Sequence, residues 1–454
     1  MRARIAIAAQ AAAAVDTPFV AIVDSLAATA LRVDRLPSLA LAVARGTHLL
    51  IAKSYGLADV ENDVPATTET VYRIGSITKQ FTAATILRLV EQRRIGLDDD
   101  ITAYVPQFHA HGHHVTIRQL LNHTSGLRGF TEVPAFSPKE RLDLTDEELL
   151  AVFQDEPTDF EPGTNFLYNN SAYYLLAMAI EHVTGQPYGA YLRDTVLRPL
   201  GLGRTRACDD AGLVRHRARG YSLAGDQLQN ASYISLAPPK GGGSLCSTAT
   251  DLVKWTHALA SAGVISRNSY ALMTSPGALA DGRRIGYGFG LFLSALEGHE
   301  EIFHGGGITG FTGFVGYYPD ADVTVVVLTN LDAGHLYDGH LAHRIARALL
   351  KLPETRQSER VPPENELGLL VGTYRIGSDS ITVRADSSRL AVDGEGTVHQ
   401  LWERAFVYQD RGIFTSVETP QLALHFTVSQ RGAVRLVITL SGRAFGDAVR
   451  GDGP

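Results

Sequence analysis

The pattern of apolar and polar residues changes along the chain and divides it into regions of different secondary structure. An amphipathic stretch predicts a helix over residues 17–33, and two strands joined by a turn at Arg45-Gly46 follow it. From about 115 to 280 the signals are mostly helical, including a capping box at Thr145. From Gly286 the pattern returns to strands, and residues 323–328 are apolar and β-branched enough to predict a central strand.

The order of these regions predicts the fold class. Strands at both ends of the first 350 residues enclose a helical middle, and a helix over about 336–350 closes the unit. The simplest arrangement is an α+β domain over residues 17–351, in which one antiparallel sheet is flanked by helices and carries a helical subdomain. A catalytic cleft between the two layers is then expected.

The ends of the chain have a different character. Residues 352–366 are polar and contain proline, which predicts a linker, and residues 367–454 show short alternating stretches typical of a small all-β barrel. Residues 1–16 have two arginines before a weakly apolar, alanine-rich run, so they are interpreted as a signal peptide or an N-terminal extension. We therefore expect a periplasmic or secreted protein, with a cytoplasmic location as the alternative.

Composition and charge narrow the functional classes. The 454 residues exceed what one core usually spans, and a net charge of −7 without a long basic run argues against a nucleic-acid partner. No apolar stretch reaches the ~18 residues of a spanning helix. Cys208 and Cys246 are too few for a disulfide framework or a cysteine-rich zinc site, and the sequence leaves their pairing open. The histidines of residues 109–114 have no acidic companion at ligand spacing, so no metal site is expected.

Candidate chemistry begins at Ile74-Gly75-Ser76-Ile77-Thr78-Lys79, before a helical run that ends near Gly96. On a helix, Ser76 and Lys79 would lie on one face, one turn apart. A serine hydroxyl is a weak nucleophile until a neighbouring base accepts its proton, and a lysine amine can be that base. By itself this spacing is a weak signal, because a helix-capping serine beside a solvated lysine has the same form.

Two further segments supply the other groups that acyl transfer needs. Tyr168 offers a phenol for proton transfer, and Asn170 offers an amide that can hold a substrate carbonyl or orient Lys79. The run His304-Gly305-Gly306-Gly307 lies on a predicted edge strand, where glycine permits close approach of substrate. The N–H of Gly307 could pair with that of Ser76 as an oxyanion hole.

Together these segments resemble the serine β-lactamase and penicillin-binding-protein superfamily. Ser76-Ile77-Thr78-Lys79, Tyr168-Asn169-Asn170 and His304-Gly305-Gly306 are similar to its three motifs, in order, within a resemblance that covers about 30–350. Residues 121–127 and 241–244 are also similar to stretches common in these proteins. The segment from Leu370 resembles the lipocalin-like barrels appended to some D-aminopeptidases and related hydrolases.

The resemblance implies the fold, the roles of the residues and the reaction. It makes Ser76, Lys79 and Tyr168 catalytic and Asn170, His304, Gly306 and Gly307 substrate-binding, with no metal or cofactor. Tyrosine in the middle motif is similar to class C β-lactamases and DD-peptidases, and His304 replaces the lysine of most β-lactamases, which argues against β-lactam hydrolysis.

The expected activity is a serine hydrolase that forms an acyl-enzyme on Ser76 and cleaves amide bonds of small D-residue-containing peptides or related amides. A carboxylesterase of the same family is the first alternative. A weak β-lactamase, or a protein that binds β-lactams or cell-wall peptides, is the second, and a peptide cyclase is the third. The partner is a small-molecule or peptide substrate, and the sequence leaves the oligomeric state open.

Overall fold

The computed structural model describes residues 17–110, 112–208, 211–332, 339–353, 360–363, 366–395, 404–417, 422–429 and 434–450. The predicted leader, residues 1–16, and most of the polar part of the predicted linker lie outside these ranges. Within the described ranges, no helix combines the length and the apolar character needed to cross a membrane.

The helices and strands are as follows. The helices are α1 Thr17–Val33, α2 Thr78–Glu91, α3 Ile117–Leu121, α4 Asp146–Phe153, α5 Asn170–Thr184, α6 Tyr188–Leu192, α7 Lys240–Gly243, α8 Ala249–Ala260, α9 Arg267–Met273, α10 His340–Leu350 and α11 Glu366–Leu370. The strands are β1 Ser38–Arg45, β2 His48–Asp59, β3 Val64–Pro65, β4 Tyr72–Arg73, β5 Arg206–Ala207, β6 Tyr221–Ala224, β7 Gln227–Asn230, β8 Leu245–Ser247, β9 Phe292–Leu296, β10 His299–Ile308, β11 Phe311–Tyr318, β12 Val323–Thr329, β13 Gly372–Ile376, β14 Asp379–Asp386, β15 Arg389–Glu395, β16 Arg404–Asp410, β17 Ile413–Ser416, β18 Leu422–Val428, β19 Val434–Leu440 and β20 Arg443–Arg450.

The central sheet joins the two ends of the first domain. Its order is β3-β2-β1-β12-β11-β10-β9, and β1 pairs antiparallel with β12, with Val43 opposite Val325. The helical middle of the chain is inserted between β2 and β9 and packs on one face of this sheet. The predicted α+β class, with one antiparallel sheet and a helical subdomain, is confirmed.

Both faces of the sheet are covered, which explains the continuous apolar run in β12. In β1, Ala40, Ala42 and Ala44 face the core formed with α2, α5 and α8. The alternate residues Leu39 and Leu41 face α1 and α10 on the opposite side. A strand that is buried on both faces needs apolar side chains at every position, because neither face meets water.

The C-terminal segment forms the predicted all-β unit. Strands β13 to β20 make a closed barrel, and β20 pairs with β13 to complete it. Its interior is filled by aromatic and branched side chains such as Tyr374, Phe406 and Phe414. Leu167, from the loop before α5, packs into the same cluster, so the barrel lies against the helical subdomain.

One predicted strand is wrong and one helix end is shifted. The segment predicted as a strand from residue 287 instead turns, because Gly288 N donates to Leu291 O at 2.9 Å and Gly290 has a φ of +69°. The strand β9 begins only at Phe292. The helix α2 ends at Glu91, before the predicted end near Gly96, and Arg93 just after it has a φ of +57°.

Candidate active site

Ser76 lies on a tight turn rather than on the helix that carries Lys79. After β4, Gly75 has a φ of +48° and starts a 3-10 turn over Gly75–Ile77, and α2 begins only at Thr78. The prediction that both residues share one helix is therefore wrong in detail. The turn leaves Ser76 partly exposed at the front of α2, while Lys79 is fully buried behind it.

Three oxygen atoms surround the amine of Lys79. Its Nζ lies 3.1 Å from Ser76 Oγ, 2.9 Å from Asn170 Oδ1 and 3.0 Å from the carbonyl oxygen of Gly242. Burial holds the pKa of Lys79 well below its ordinary value, although the nearby carboxylate of Glu132 opposes this shift.

The neutral amine fits these partners. It has two N–H groups and one lone pair, and the two oxygens that can only accept, Asn170 Oδ1 and Gly242 O, take both N–H groups. The lone pair is then left for the hydroxyl proton of Ser76. The geometry can therefore activate Ser76 as a nucleophile.

Asn170 is held at the first residue of α5 by its neighbour. The helix cap is Asn169, whose side chain accepts from Ala172 N at 2.8 Å, so capping does not occupy Asn170. The amide oxygen of Asn170 accepts from Lys79, and its Nδ2 donates to Thr131 Oγ1 at 3.2 Å. The structure thus brings Asn170 into contact with Lys79, and both of its predicted roles stay predictions.

Tyr168 presents its ring to Lys79. The lysine Nζ lies 4.6 Å from the ring centroid, and Tyr168 is 7 % exposed. The face of an aromatic ring attracts a cation, so this contact stabilises Lys79 after it has accepted a proton. The ring of His123 packs against Tyr168 at 4.3 Å. The structure thus brings Tyr168 to the site, and its role in proton transfer stays a prediction.

His304 is buried beside the site as a neutral imidazole. Its Nε2 lies 3.0 Å from Tyr287 Oη, and its Nδ1 lies 2.5 Å from Gly305 O. Burial, together with the positive charge that Lys79 carries when it is protonated, lowers the pKa of His304 to about 3. His304 therefore supplies no positive charge for a substrate carboxylate near neutral pH, and its predicted substrate contact stays a prediction.

The glycines after His304 let β10 approach the Ser76 turn. Ile308 and Phe311 flank the two-residue turn 309–310 and form a hydrogen-bonded pair of β10 and β11. Because hydrogen-bonded and non-hydrogen-bonded pairs alternate along antiparallel strands, the next pair, Gly307 and Thr312, is non-hydrogen-bonded. The N–H of Gly307 then points away from β11, beyond the last residue that pairs with β9. A Cβ on Gly75 would lie 2.7 Å from the Gly307 carbonyl oxygen, so the two backbones touch, as the predicted oxyanion hole requires.

Gly306 tests how closely these backbones pack. We expect Gly306→Ala to lower the free energy of unfolding by about 1–3 kcal/mol, because its Cβ would lie 2.1 Å from the carbonyl oxygen of Ile74. Urea denaturation measures the change. The control is Gly203→Ala, where an added Cβ meets no atom within 4 Å, and equal stability of the two variants would contradict the packing.

Four acidic and basic side chains that the sequence analysis missed lie next to this site. Asp159, whose side chain is 1 % exposed, pairs with Arg128 at 3.1 Å and accepts from the barrel residue Ser378 N at 2.9 Å. The charge of the barrel residue Asp379 raises the pKa of both Glu132 and Asp159, and the charge of Asp159 also raises that of Glu132. Burial is the main cause, and it raises the pKa of Glu132 to about 7 and that of Asp159 to about 6.

Two more features stabilise the segments that carry Tyr168 and Ser76. His123 is buried and accepts from Asn169 N at 3.1 Å, so the stretch around it holds the loop that carries Tyr168. Cys208 and Cys246 form a disulfide, which answers the question of pairing. Cys246 lies in β8, the strand that pairs with β4 immediately before Ser76.

Comparison with known proteins agrees with this geometry. A family model described as Beta-lactamase matches residues 23–350. The chain belongs to the beta-lactamase family. Penicillin-binding protein 4* of Bacillus subtilis (strain 168) is 29% identical over 310 residues, which cover 65% of this chain and 68% of that protein. The recognised resemblance to this superfamily is confirmed.

Two solved structures show how far the likeness to this beta-lactamase-family chain extends. The octameric penicillin-binding protein homologue from Pyrococcus abyssi shares the fold, with a TM-score of 0.68 at 24% identity over 95% of this chain and 100% of that chain. D-amino acid amidase from Ochrobactrum anthropi SV3, complexed with L-phenylalanine amide, has a TM-score of 0.66 at 25% identity over 74% of this chain and 99% of that chain. The similarity to this amidase supports the interpretation that the chain is a hydrolase.

Proposed function

We propose that this protein is an amide hydrolase that forms an acyl-enzyme on Ser76 and cleaves small D-residue-containing peptides or related amides bearing a free amino group. The observation that carries the proposal is the buried Lys79 amine, whose Nζ lies within hydrogen-bond distance of Ser76 Oγ, Asn170 Oδ1 and Gly242 O, so that the neutral amine can direct its lone pair to Ser76. The similarity to a D-amino acid amidase supports the choice of bond.

The reaction has two halves. Ser76 Oγ attacks the amide carbonyl carbon while Lys79 accepts the hydroxyl proton, and the N–H groups of Ser76 and Gly307 stabilise the oxyanion. Lys79 then returns the proton through Tyr168 to the leaving nitrogen, and the C–N bond breaks. In the second half, water attacks the acyl-enzyme ester, and its proton passes through Tyr168 to Lys79. The carboxylic acid then leaves, and Ser76 regains its hydrogen.

The carboxyl groups beside the site support a cationic substrate. The group of four contains three carboxyl groups, those of Glu132, Asp159 and Asp379, and one guanidinium, that of Arg128. Carboxyl groups therefore outnumber basic groups here. The buried Oε2 of Glu132 accepts no hydrogen bond from the described residues. The ammonium group of an amino-terminal residue would supply the missing donor and charge.

The raised pKa of Glu132 predicts a pH dependence of substrate binding. Glu132 titrates at about 7, so below that pH an ammonium substrate must first displace a proton from the carboxyl. We expect KM for a free-amine substrate to fall as the pH rises from about 6 to 7.5, below the ~7.7–8.0 at which α-amines lose their charge. An N-acetylated substrate should show no such fall.

A rate panel tests the proposal. It compares D- and L-alanine p-nitroanilides, their N-acetyl derivatives, p-nitrophenyl esters and nitrocefin on wild type, Ser76→Ala and Glu132→Gln. We expect the free-amine D-anilide to be preferred, and Glu132→Gln to reduce the ratio of kcat/KM for the free-amine form to kcat/KM for the N-acetyl form by about tenfold.

The other outcomes point to the alternatives. Ester turnover without anilide turnover would identify a carboxylesterase. Nitrocefin hydrolysis above both would identify a β-lactamase, and stoichiometric labelling without turnover would identify a binding protein. A cyclised product from a longer amino-terminal peptide would identify a cyclase.

A further inference from the structure

A short chain of hydrogen bonds leads from Lys79 to the domain interface. Lys79 Nζ donates to Asn170 Oδ1 at 2.9 Å, and Asn170 Nδ2 donates to Thr131 Oγ1 at 3.2 Å. The hydroxyl of Thr131 in turn donates to Glu132 Oε1 at 2.7 Å. Thr131 is exposed and lies on a 3-10 turn over Phe130–Glu132, outside every motif of the sequence.

The direction of this chain matters because an amide can point either way. When Glu132 is ionised its carboxylate only accepts, so the bond to Glu132 commits the hydroxyl proton of Thr131. The Thr131 oxygen must then accept, and the group that meets it must be the NH₂ of Asn170. The amide oxygen of Asn170 is thereby turned toward Lys79.

The opposite orientation would block the base. An Asn170 amide turned by 180° would direct its NH₂ at the Lys79 nitrogen and donate to the lone pair that Ser76 needs. The amine would then have to donate its second N–H elsewhere, and its lone pair, already accepting a hydrogen bond, could not take the proton of Ser76. Neither Lys79 nor Asn170 alone excludes this state, because each can donate and accept.

We propose that Thr131 is a positioning residue that fixes the amide orientation of Asn170, and so keeps the lone pair of Lys79 directed at Ser76. It acts through Asn170 and touches neither Ser76 nor the acyl group. The Phe130–Glu132 turn therefore serves two purposes: Glu132 belongs to the acidic group that is proposed to bind the substrate ammonium, and its carboxylate sets the proton direction along the chain. The inference rests on the proposed function only in taking Lys79 as the base.

The test measures activation of Ser76 without any natural substrate. A fluorescent fluorophosphonate forms a phosphorus–oxygen bond to Ser76, fluoride leaves, and the serine proton goes to Lys79. We expect Thr131→Val, which keeps the shape and removes the hydroxyl, to lower the plateau labelling rate by about tenfold. Thr131→Ser, which restores the hydroxyl, should label within about twofold of wild type.

The pH profile separates orientation from charge. Thr131→Val removes a hydrogen bond that lowers the pKa of Glu132, so the variants are compared on the alkaline plateau, well above the pKa of about 7 of Glu132, where the lost orientation should lower the rate. Glu132→Gln removes a carboxylate that raises the pKa of Lys79, so its acid limb should move to lower pH. Other titratable groups near Lys79 are His123 and His304, whose pKa values are lowered by burial, and the phenols of Tyr168 and Tyr173, of which burial raises the pKa of Tyr173.

Each outcome decides one of the two proposals. Wild-type labelling by Thr131→Val on this plateau, or equal slowing by Thr131→Ser, would overturn the role of Thr131. Labelled wild type that hydrolyses no amide would instead overturn the proposed function and leave the role of Thr131 standing.

Discussion

Ser76→Ala should abolish both fluorophosphonate labelling and turnover of every substrate in the panel. The alanine has no oxygen to form the acyl-enzyme, and loss of an activated serine costs on the order of 10⁶ in kcat. Because Ser76 is partly exposed on a turn, the change should leave folding intact. In-gel fluorescence measures labelling, and the rate panel measures turnover.

A second serine gives the matched control. Ser125 is 1 % exposed, and its Oγ accepts from Leu127 N at 3.4 Å. Its hydroxyl therefore stabilises a turn and is too buried for the fluorophosphonate to contact. We expect Ser125→Ala to label like wild type. If labelling survives in Ser76→Ala and disappears in Ser125→Ala, the nucleophile is Ser125 and the proposed mechanism is wrong.

The sheet and the motifs could be predicted because their signals are local. The uninterrupted apolar run of β12 requires burial on both faces, and its pairing with β1 follows from strands at the two ends of a helical insertion. Ser76 and Lys79 are close in the chain, so any compact conformation of that segment keeps them near each other.

The acidic group beside the site could not be predicted because its members are distant in sequence. Asp159 and Ser378 are separated by 219 positions and come from different units of the fold. Each looks like an ordinary loop or barrel polar residue, and only docking of the β13–β14 turn brings them together. Likewise, nothing in the residue types around Thr131 distinguishes it from a surface threonine, because its role depends on which proton it donates.

The position of Ser76 shows a limit of a different kind. Periodicity places it on the same helix as Lys79, since one turn separates them. The positive φ of Gly75 and its contact with Gly307 favour a 3-10 turn, which raises the hydroxyl to the cleft. The spacing was informative about proximity, and the backbone conformation depended on a strand more than 200 residues away.

Lys79 carries the second large effect. We expect Lys79→Met to lower kcat/KM by about 10²–10⁴, the usual contribution of a general base. Lys79→Arg should be equally inactive, because a guanidinium keeps its proton throughout the accessible pH range. Lys254→Met, at a half-exposed lysine paired with Asp251, is the control and should keep wild-type rates.

The pH profile of wild type then distinguishes a base from a fixed cation. The pKa of Lys79 is lowered by burial, so the active neutral amine is present above that lowered pKa and is lost as the pH falls through it. Measured on the N-acetylated substrate, the acid limb of kcat/KM should therefore lie well below the ~10.4 of a free lysine, and it should vanish in the residual activity of Lys79→Arg. Activity that rises only above about pH 10 would mean that Lys79 is charged at rest, and the proton of Ser76 would then need another acceptor.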